Sequence, residues 1–93
     1  MRLSEEDRLI IKEAVASYDQ QAEVYLFGSR VDDSKKGGDI DLLIFSGKLR
    51  QGDAGKIRED LWERMGEQQI DIIIAEDDSH PFVRIALKEG VLL

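Results

Sequence analysis

The sequence predicts an α/β domain: a small mixed sheet of about three strands flanked by helices. Three observations carry this expectation. The runs Glu23-Val24-Tyr25-Leu26-Phe27, Asp39 to Phe45 and Ile70-Asp71-Ile72-Ile73-Ile74 are apolar and of strand length. Segments at about 5–18 and 53–67 carry helical spacing. The two kinds of segment alternate along the chain, in the order α-β-loop-β-α-β-α.

The first helix is read over 5–18. Ser4 has the chemistry of an N-cap, and Asp7 three residues on is a capping-box analogue. Glu5 and Glu6 suit the positive end of the helix dipole. Leu9, Ile10, Ala14 and Val15 keep the helical period, with Ile11 and Tyr18 alongside. The first strand, 23–27, ends at Gly28. A charged loop covers 30–38, with room for a helical turn at its start, and Gly37-Gly38 punctuates its end. The second strand is 39–45, and Ser46 to Gly52 is a polar connection. Ile57, Leu61 and Met65 recur every four residues with Trp62 adjoining, which places a helix over about 53–67. The third strand is 70–74. Ser79 or His80 caps a last helix with Pro81 in its first turn. That helix runs to about Glu89, with Gly90 as its C-cap residue. Residues 91–93 are apolar enough to add a short edge segment.

Composition narrows the function. The 93 residues are read as one domain, 1–93, able to bury roughly 60% of the surface of its unfolded chain. A hydrophobic content of 42% is that of a globular chain. The net charge of −7 argues against a direct nucleic-acid groove, whose affinity rests on Lys and Arg meeting phosphates. The chain has no cysteine, so disulfide and thiolate chemistry are excluded, and its single histidine, His80, excludes a multi-histidine zinc site. No apolar run approaches the ~20 residues of a membrane span. The acidic N-terminal segment lacks a signal-peptide core, so the cytoplasm is the expected location.

The chemistry concentrates in Phe27-Gly28-Ser29-Arg30 and Gly38-Asp39-Ile40-Asp41-Leu42-Leu43-Ile44. Carboxylates at the mouth of an apolar strand are costly to bury without a partner. Strand alternation puts Asp39 and Asp41 on one face. Asp71 is the one charged position inside its own apolar run and completes a cluster if the third strand pairs beside the second. Three oxygen donors on a rigid sheet suit Mg²⁺, which keeps waters and takes substrate phosphate oxygens. Gly28 ends a strand at a sharp turn and has no side chain to bar a phosphate. Ser29 offers a backbone N–H and a hydroxyl, a natural anion seat. Arg30 adds a planar charge suited to phosphate. Lys35 and Lys36 could reach the same anion, although a solvated loop is their preferred reading. The spacing of a P-loop is absent. Each aspartate taken alone also fits a strand-edge charge facing water; the combination does not.

A strand, a Gly-Ser turn, a loop, Asp-x-Asp in an apolar strand and a third acid in a later strand together resemble the DNA-polymerase-β-like nucleotidyltransferases. Within them, Leu26-Phe27-Gly28-Ser29-Arg30 and Gly38 to Ile44 look like the minimal nucleotidyltransferases, and the resemblance covers essentially the whole chain. It departs from the pattern at Asp32-Asp33, an acidic pair in a loop where many relatives carry basic residues. The resemblance implies the minimal nucleotidyltransferase fold. It also implies two Mg²⁺ ions on Asp39, Asp41 and Asp71, with these three as catalytic residues and ATP as substrate. Gly28, Ser29 and Arg30 would bind the nucleotide. It implies AMP transfer to a hydroxyl, most simply a tyrosine of a HEPN-domain toxin that the chain silences as its antitoxin. Two other readings are a small-molecule nucleotidyltransferase completed by a helical substrate-binding subunit, and a non-catalytic antitoxin that masks its partner by contact. Homo- or hetero-oligomers are compatible with each.

The remaining singular residues have structural readings. Trp62 and Tyr25 are expected to pack, and His80 to cap. Glu76-Asp77-Asp78 is expected to form a solvated loop, and Arg58, Arg64 and Arg84 to be surface charges. Leu92-Leu93 either packs on the sheet or meets a second subunit.

Overall fold

A computed structural model describes residues 1–32 and 38–93. Asp33, Lys35, Lys36 and Gly37 of the charged loop lie outside the described residues. The elements in chain order are α1 (Glu5–Tyr18), β1 (Glu23–Phe27), β2 (Ile40–Phe45), α2 (Ala54–Met65), β3 (Ile70–Ala75), α3 (Pro81–Glu89) and β4 (Val91–Leu92). Short 3-10 turns at Gly28–Val31 and Gln51–Asp53 follow β1 and precede α2. No helix among the described residues is long and apolar enough to cross a membrane.

The sheet order is β3-β2-β1-β4. β1 and β2 are antiparallel neighbours, as are β1 and β4. β2 and β3 run parallel, joined by α2, the crossover that parallel pairing requires. The sheet thus has four strands where the sequence suggests about three. β4 pairs over only two residues, too short a stretch to announce itself by alternation.

One face of the sheet packs on α1 and α2. Ile11, Ala14 and Val15 of α1 and Ala54, Ile57 and Leu61 of α2 cover Val24, Leu26, Ile40, Leu42, Ile44, Ile70 and Ile72. Leu9, part of the apolar spacing of α1, is nonetheless exposed. Among the described residues, α3 covers the other face, with Val83 and Ala86 against Leu43, and Tyr25, Phe27, Phe45 and Ile73 half-buried around them. Leu42, Leu43 and Ile44 are fully buried, so β2 is apolar on both faces, as a central strand covered on both sides must be.

The caps follow the sequence. Ser4 Oγ accepts from Asp7 N at 3.0 Å and opens α1. His80 Nδ1 accepts from Phe82 N at 3.1 Å and opens α3 behind Pro81. Gly90 follows α3 with φ −82°, so the helix ends there without a left-handed residue. Trp62 packs beside the core and donates Nε1–H to Gln68 O at 2.8 Å. Tyr25 meets Phe45 edge to face, with ring centroids 5.9 Å apart. The Tyr18 hydroxyl donates to Asp60 Oδ2 at 2.6 Å and ties α1 to α2. That hydrogen bond, with burial and the Asp60 charge, pushes the phenol up to about 12. Leu93 is buried against the core, whereas Leu92 beside it is exposed, so only one of the two side chains packs on the sheet.

β3 has an outer edge, and two side chains close it. The Gln51 carboxamide donates to Ile72 O and accepts from Ile74 N, both at 2.8 Å, in the manner of a neighbouring strand's peptide group. Arg58 Nε–H donates to Ile70 O at 3.0 Å. Arg58 is therefore a half-buried backbone partner and not the surface charge its position on a polar helix suggests. Open strand edges invite pairing with other chains, and this one is blocked by side chains. Gln51→Ala is expected to lower the free energy of unfolding by about 1–2 kcal/mol, about 1 kcal/mol for each lost hydrogen bond. Urea denaturation checks it: the midpoint falls while the m-value holds. An unmoved midpoint would mean that water replaces both bonds.

Candidate active site

Asp41 is the first residue at which β2 emerges from the core. Its strand phase matches Leu43 and Phe45, so it stands on the α3 face of the sheet, half-buried. The parallel pairing of β2 with β3 sets Asp41 directly beside Asp71, and the antiparallel pairing with β1 sets Phe27 on its other side. The condition under which Asp71 joins the cluster, β3 beside β2, is met. Asp71 is exposed and accepts from Gln69 Nε2 at 3.3 Å. Asp39 lies just before β2 and is exposed.

The charges of these groups interact. The Asp41 carboxyl is held above its ordinary value of 3.8 by burial first, then by the charge of Asp71, the charge of Asp39 and a hydrogen bond with Asp71. Two carboxylates aligned across a strand pair, with a third whose charge reaches them, form an oxygen-only donor set. That chemistry fits a hard divalent cation. Among the described residues no group of three or more Asp, Glu, His or Cys side chains is placed to hold a metal ion, so the three predicted aspartates are not gathered into one ligand set; the aligned pair is Asp41 and Asp71. The remaining coordination of such an ion would come from water and from phosphate oxygens, as is usual for Mg²⁺ at phosphates.

The Gly-Ser turn stands against this cluster. Gly28 has φ +79°, and a Cβ there would overlap Asp41 Oδ2. Gly38 has φ +93°, and a Cβ there would overlap Ser29 Oγ. Each motif therefore supplies the glycine that makes room for the other's polar side chain. Both glycines occupy the left-handed region, where other residues are strained. Ser29 is half-buried, and its carbonyl accepts from Asp32 N at 3.3 Å and from Arg2 Nη2 at 3.2 Å. The turn begins at Gly28, two residues before the predicted loop.

Arg30 is half-buried and donates Nε–H to Gly38 O at 3.3 Å and Nη1–H to Arg2 O at 3.1 Å. Its guanidinium thus spans the two motifs and holds the loop ends together. Arg2 returns the contact through its backbone N–H, which donates to Arg30 O at 2.7 Å. Arg2 carries no periodicity or motif, and nothing in the sequence marks it as a brace of this turn. All six predicted site residues, Gly28, Ser29, Arg30, Asp39, Asp41 and Asp71, lie at the same end of the sheet. Lys35 and Lys36 lie outside the described residues.

The sign of the Asp41 shift has a consequence for stability. A carboxyl with a raised folded value binds its proton more tightly in the native state. Its contribution is most favourable below 3.8 and is lost as pH rises through the raised folded value. In metal-free protein at pH 7, Asp41→Asn is therefore expected to raise the thermal midpoint. The gain should close as the pH falls below 3.8. Calorimetry with chelator present checks it, and a lowered midpoint at pH 7 would contradict it.

Residues 10–93 match the family described as Polymerase beta, Nucleotidyltransferase. The chain belongs to this nucleotidyltransferase family, whose chemistry is nucleotidyl transfer and whose members generally use a nucleoside triphosphate and a divalent metal. No curated protein matches the chain.

Proposed function

We propose that this chain transfers AMP from ATP to a hydroxyl of another protein, and that the acceptor is a tyrosine of a HEPN-domain toxin. On that reading the chain is an adenylylating antitoxin. The observation that carries the chemistry is the alignment of Asp41 with Asp71 beside the Gly28-Ser29 turn, in a chain of the nucleotidyltransferase family. The finer reading of donor, acceptor and partner rests on the likeness of Leu26 to Arg30 and Gly38 to Ile44 to the minimal nucleotidyltransferases.

Asp39, Asp41 and Asp71 would hold Mg²⁺, which when bound supplies charge neutralisation at the attacking and leaving oxygens. Gly28 leaves the approach to the β- and γ-phosphates open, and Ser29 offers its hydroxyl and N–H to them. Arg30 acts on the same phosphates chiefly by holding the turn in shape, since two of its donors already serve backbone carbonyls. Asp71, exposed at the site, accepts the proton of the incoming hydroxyl. The acceptor oxygen forms its bond to the α-phosphorus as the bond from that phosphorus to the bridging oxygen breaks. Pyrophosphate leaves with the electron pair, and no covalent enzyme intermediate is required.

Incubation with a HEPN-domain protein, ATP and Mg²⁺ is expected to add the mass of AMP to that protein. Asp41→Asn should reduce the transfer by more than the ~10–100-fold typical of changes one shell further out. Intact mass spectrometry reads both. Undiminished transfer by the variant would sink the assignment of Asp41, and an unmodified HEPN-domain protein would sink that acceptor. Mg²⁺ with ATP at a hundredfold over its Kd should stabilise the chain by about 2.7 kcal/mol. For a domain of this size that is a rise of roughly 10–20 °C in thermal midpoint, and scanning fluorimetry without any shift would count against the site.

A further inference from the structure

We propose that Phe82 is the platform on which the nucleobase of the bound nucleoside triphosphate stacks. The inference rests on the reading that the Gly28-Ser29 turn receives the triphosphate, and it adds where the other end of that substrate lies.

Phe82 is a large apolar side chain left 44% exposed in the first turn of α3. A phenyl ring in that position forgoes much of the free energy its burial would supply. Its ring is nonetheless fixed: it meets Phe27 edge to face, with centroids 6.0 Å apart and planes at 79°. Phe27 is the register partner of Asp41 and directly precedes Gly28. The exposed ring is therefore linked to Asp41 through Phe27, on the face of the sheet that α3 covers. α3 also packs on the 3-10 turn that carries Ser29. A base is separated from the α-phosphate by one ribose. An aromatic surface that serves it must lie to the side of the aspartates, and Phe82 is set to that side by Phe27, which lies between its ring and Asp41 in the contact chain.

The ring is also preorganised. The N-cap bond from Phe82 N to His80 Nδ1 and the ring of Pro81 fix the start of α3. The other aromatic residues are otherwise engaged. Trp62 packs with the α1–α2 side of the sheet, opposite the aspartates, and its Nε1–H serves Gln68 O. Tyr25 and Phe45 pair with each other further along the strands. Stacking on a bare phenyl ring tolerates every base and favours the larger purine surface. The substrate class that fits is therefore a purine nucleoside triphosphate selected by ring area.

Calorimetric titration of the whole chain in Mg²⁺ with α,β-methylene-ATP, which cannot donate AMP, and with inorganic tripolyphosphate tests this. Phe82→Ala should weaken the nucleotide roughly tenfold while leaving tripolyphosphate unchanged, and Phe82→Trp should restore the nucleotide. Ile85→Ala, at a neighbouring exposed position of α3, should alter neither ligand. Equal nucleotide affinity in wild type and Phe82→Ala overturns the inference; the ring would then serve an acceptor or a protein surface. An equal loss for both ligands, or the same loss in Ile85→Ala, overturns it too, because the change would lie in α3 as a whole. Wild-type protein that binds neither ligand overturns the phosphate site itself, and this inference with it.

Discussion

The register of β2 is the constraint from which the site is built. Leu42, Leu43 and Ile44 are fully buried and point alternately into the two layers of the core. A slip of one residue would turn Asp41 into the α1–α2 layer and bring Ile40 out, exchanging a hydrophobic contact for a buried charge. The strand therefore has one admissible position, and Asp41 leaves the core at one point. β3 repeats the arrangement: Ile40-Asp41-Leu42-Leu43-Ile44 lies residue for residue beside Ile70-Asp71-Ile72-Ile73-Ile74. Two apolar strands with the same phase, each with an aspartate second, bring the carboxylates together.

The turn is locked to the strand by volume. The left-handed backbone at Gly28 allows the chain to leave β1 sharply, and the missing Cβ leaves the space that Asp41 Oδ2 takes. Gly38 does the same for Ser29 Oγ on the return. Arg30 and Arg2 then bridge the two ends of the loop through backbone carbonyls. The polar groups at the site are thus positioned by sterics and by backbone hydrogen bonds, and the loop between them is free to differ in length and charge. That separation explains how Asp32 can sit in the loop without disturbing the carboxylate cluster.

Much of this was legible in the residues. Ser4 and the spacing of Ile11, Ala14 and Val15 give α1 at its observed bounds, and Gly28 marks the end of β1. Asp39, Asp41 and Asp71 stand out because each is a charge in an apolar run. What escaped reading has a common physical cause: it depends on partners distant in sequence. Gln51 is an ordinary polar residue until β3 presents Ile72 O and Ile74 N to it. Arg2 matters only because the turn at Ser29 and Arg30 folds against it. Val91–Leu92 becomes a strand because β1 offers an edge. Phe82 reads as one more apolar residue of an amphipathic helix, and only its place beside Phe27 connects it to the site.

Charge links this geometry to the way the site must load. A chain of net charge −7 that sets Asp41 beside Asp71, with the charge of Asp39 felt there too, repels a triphosphate carrying several negative charges of its own. Burial and neighbouring charge already hold Asp41 above its usual value, so ionising it without a compensating charge costs stability. A divalent cation reverses both effects, since it favours the ionised carboxylates and presents positive charge to the phosphates. In the proposed reading, metal and nucleotide therefore bind with positive coupling, each removing part of the repulsion that opposes the other. A phosphate site built on lysines would attract the nucleotide in any case. In that reading the acids would make attraction conditional on the ion, tying nucleotide occupancy to the one arrangement in which the chemistry can proceed.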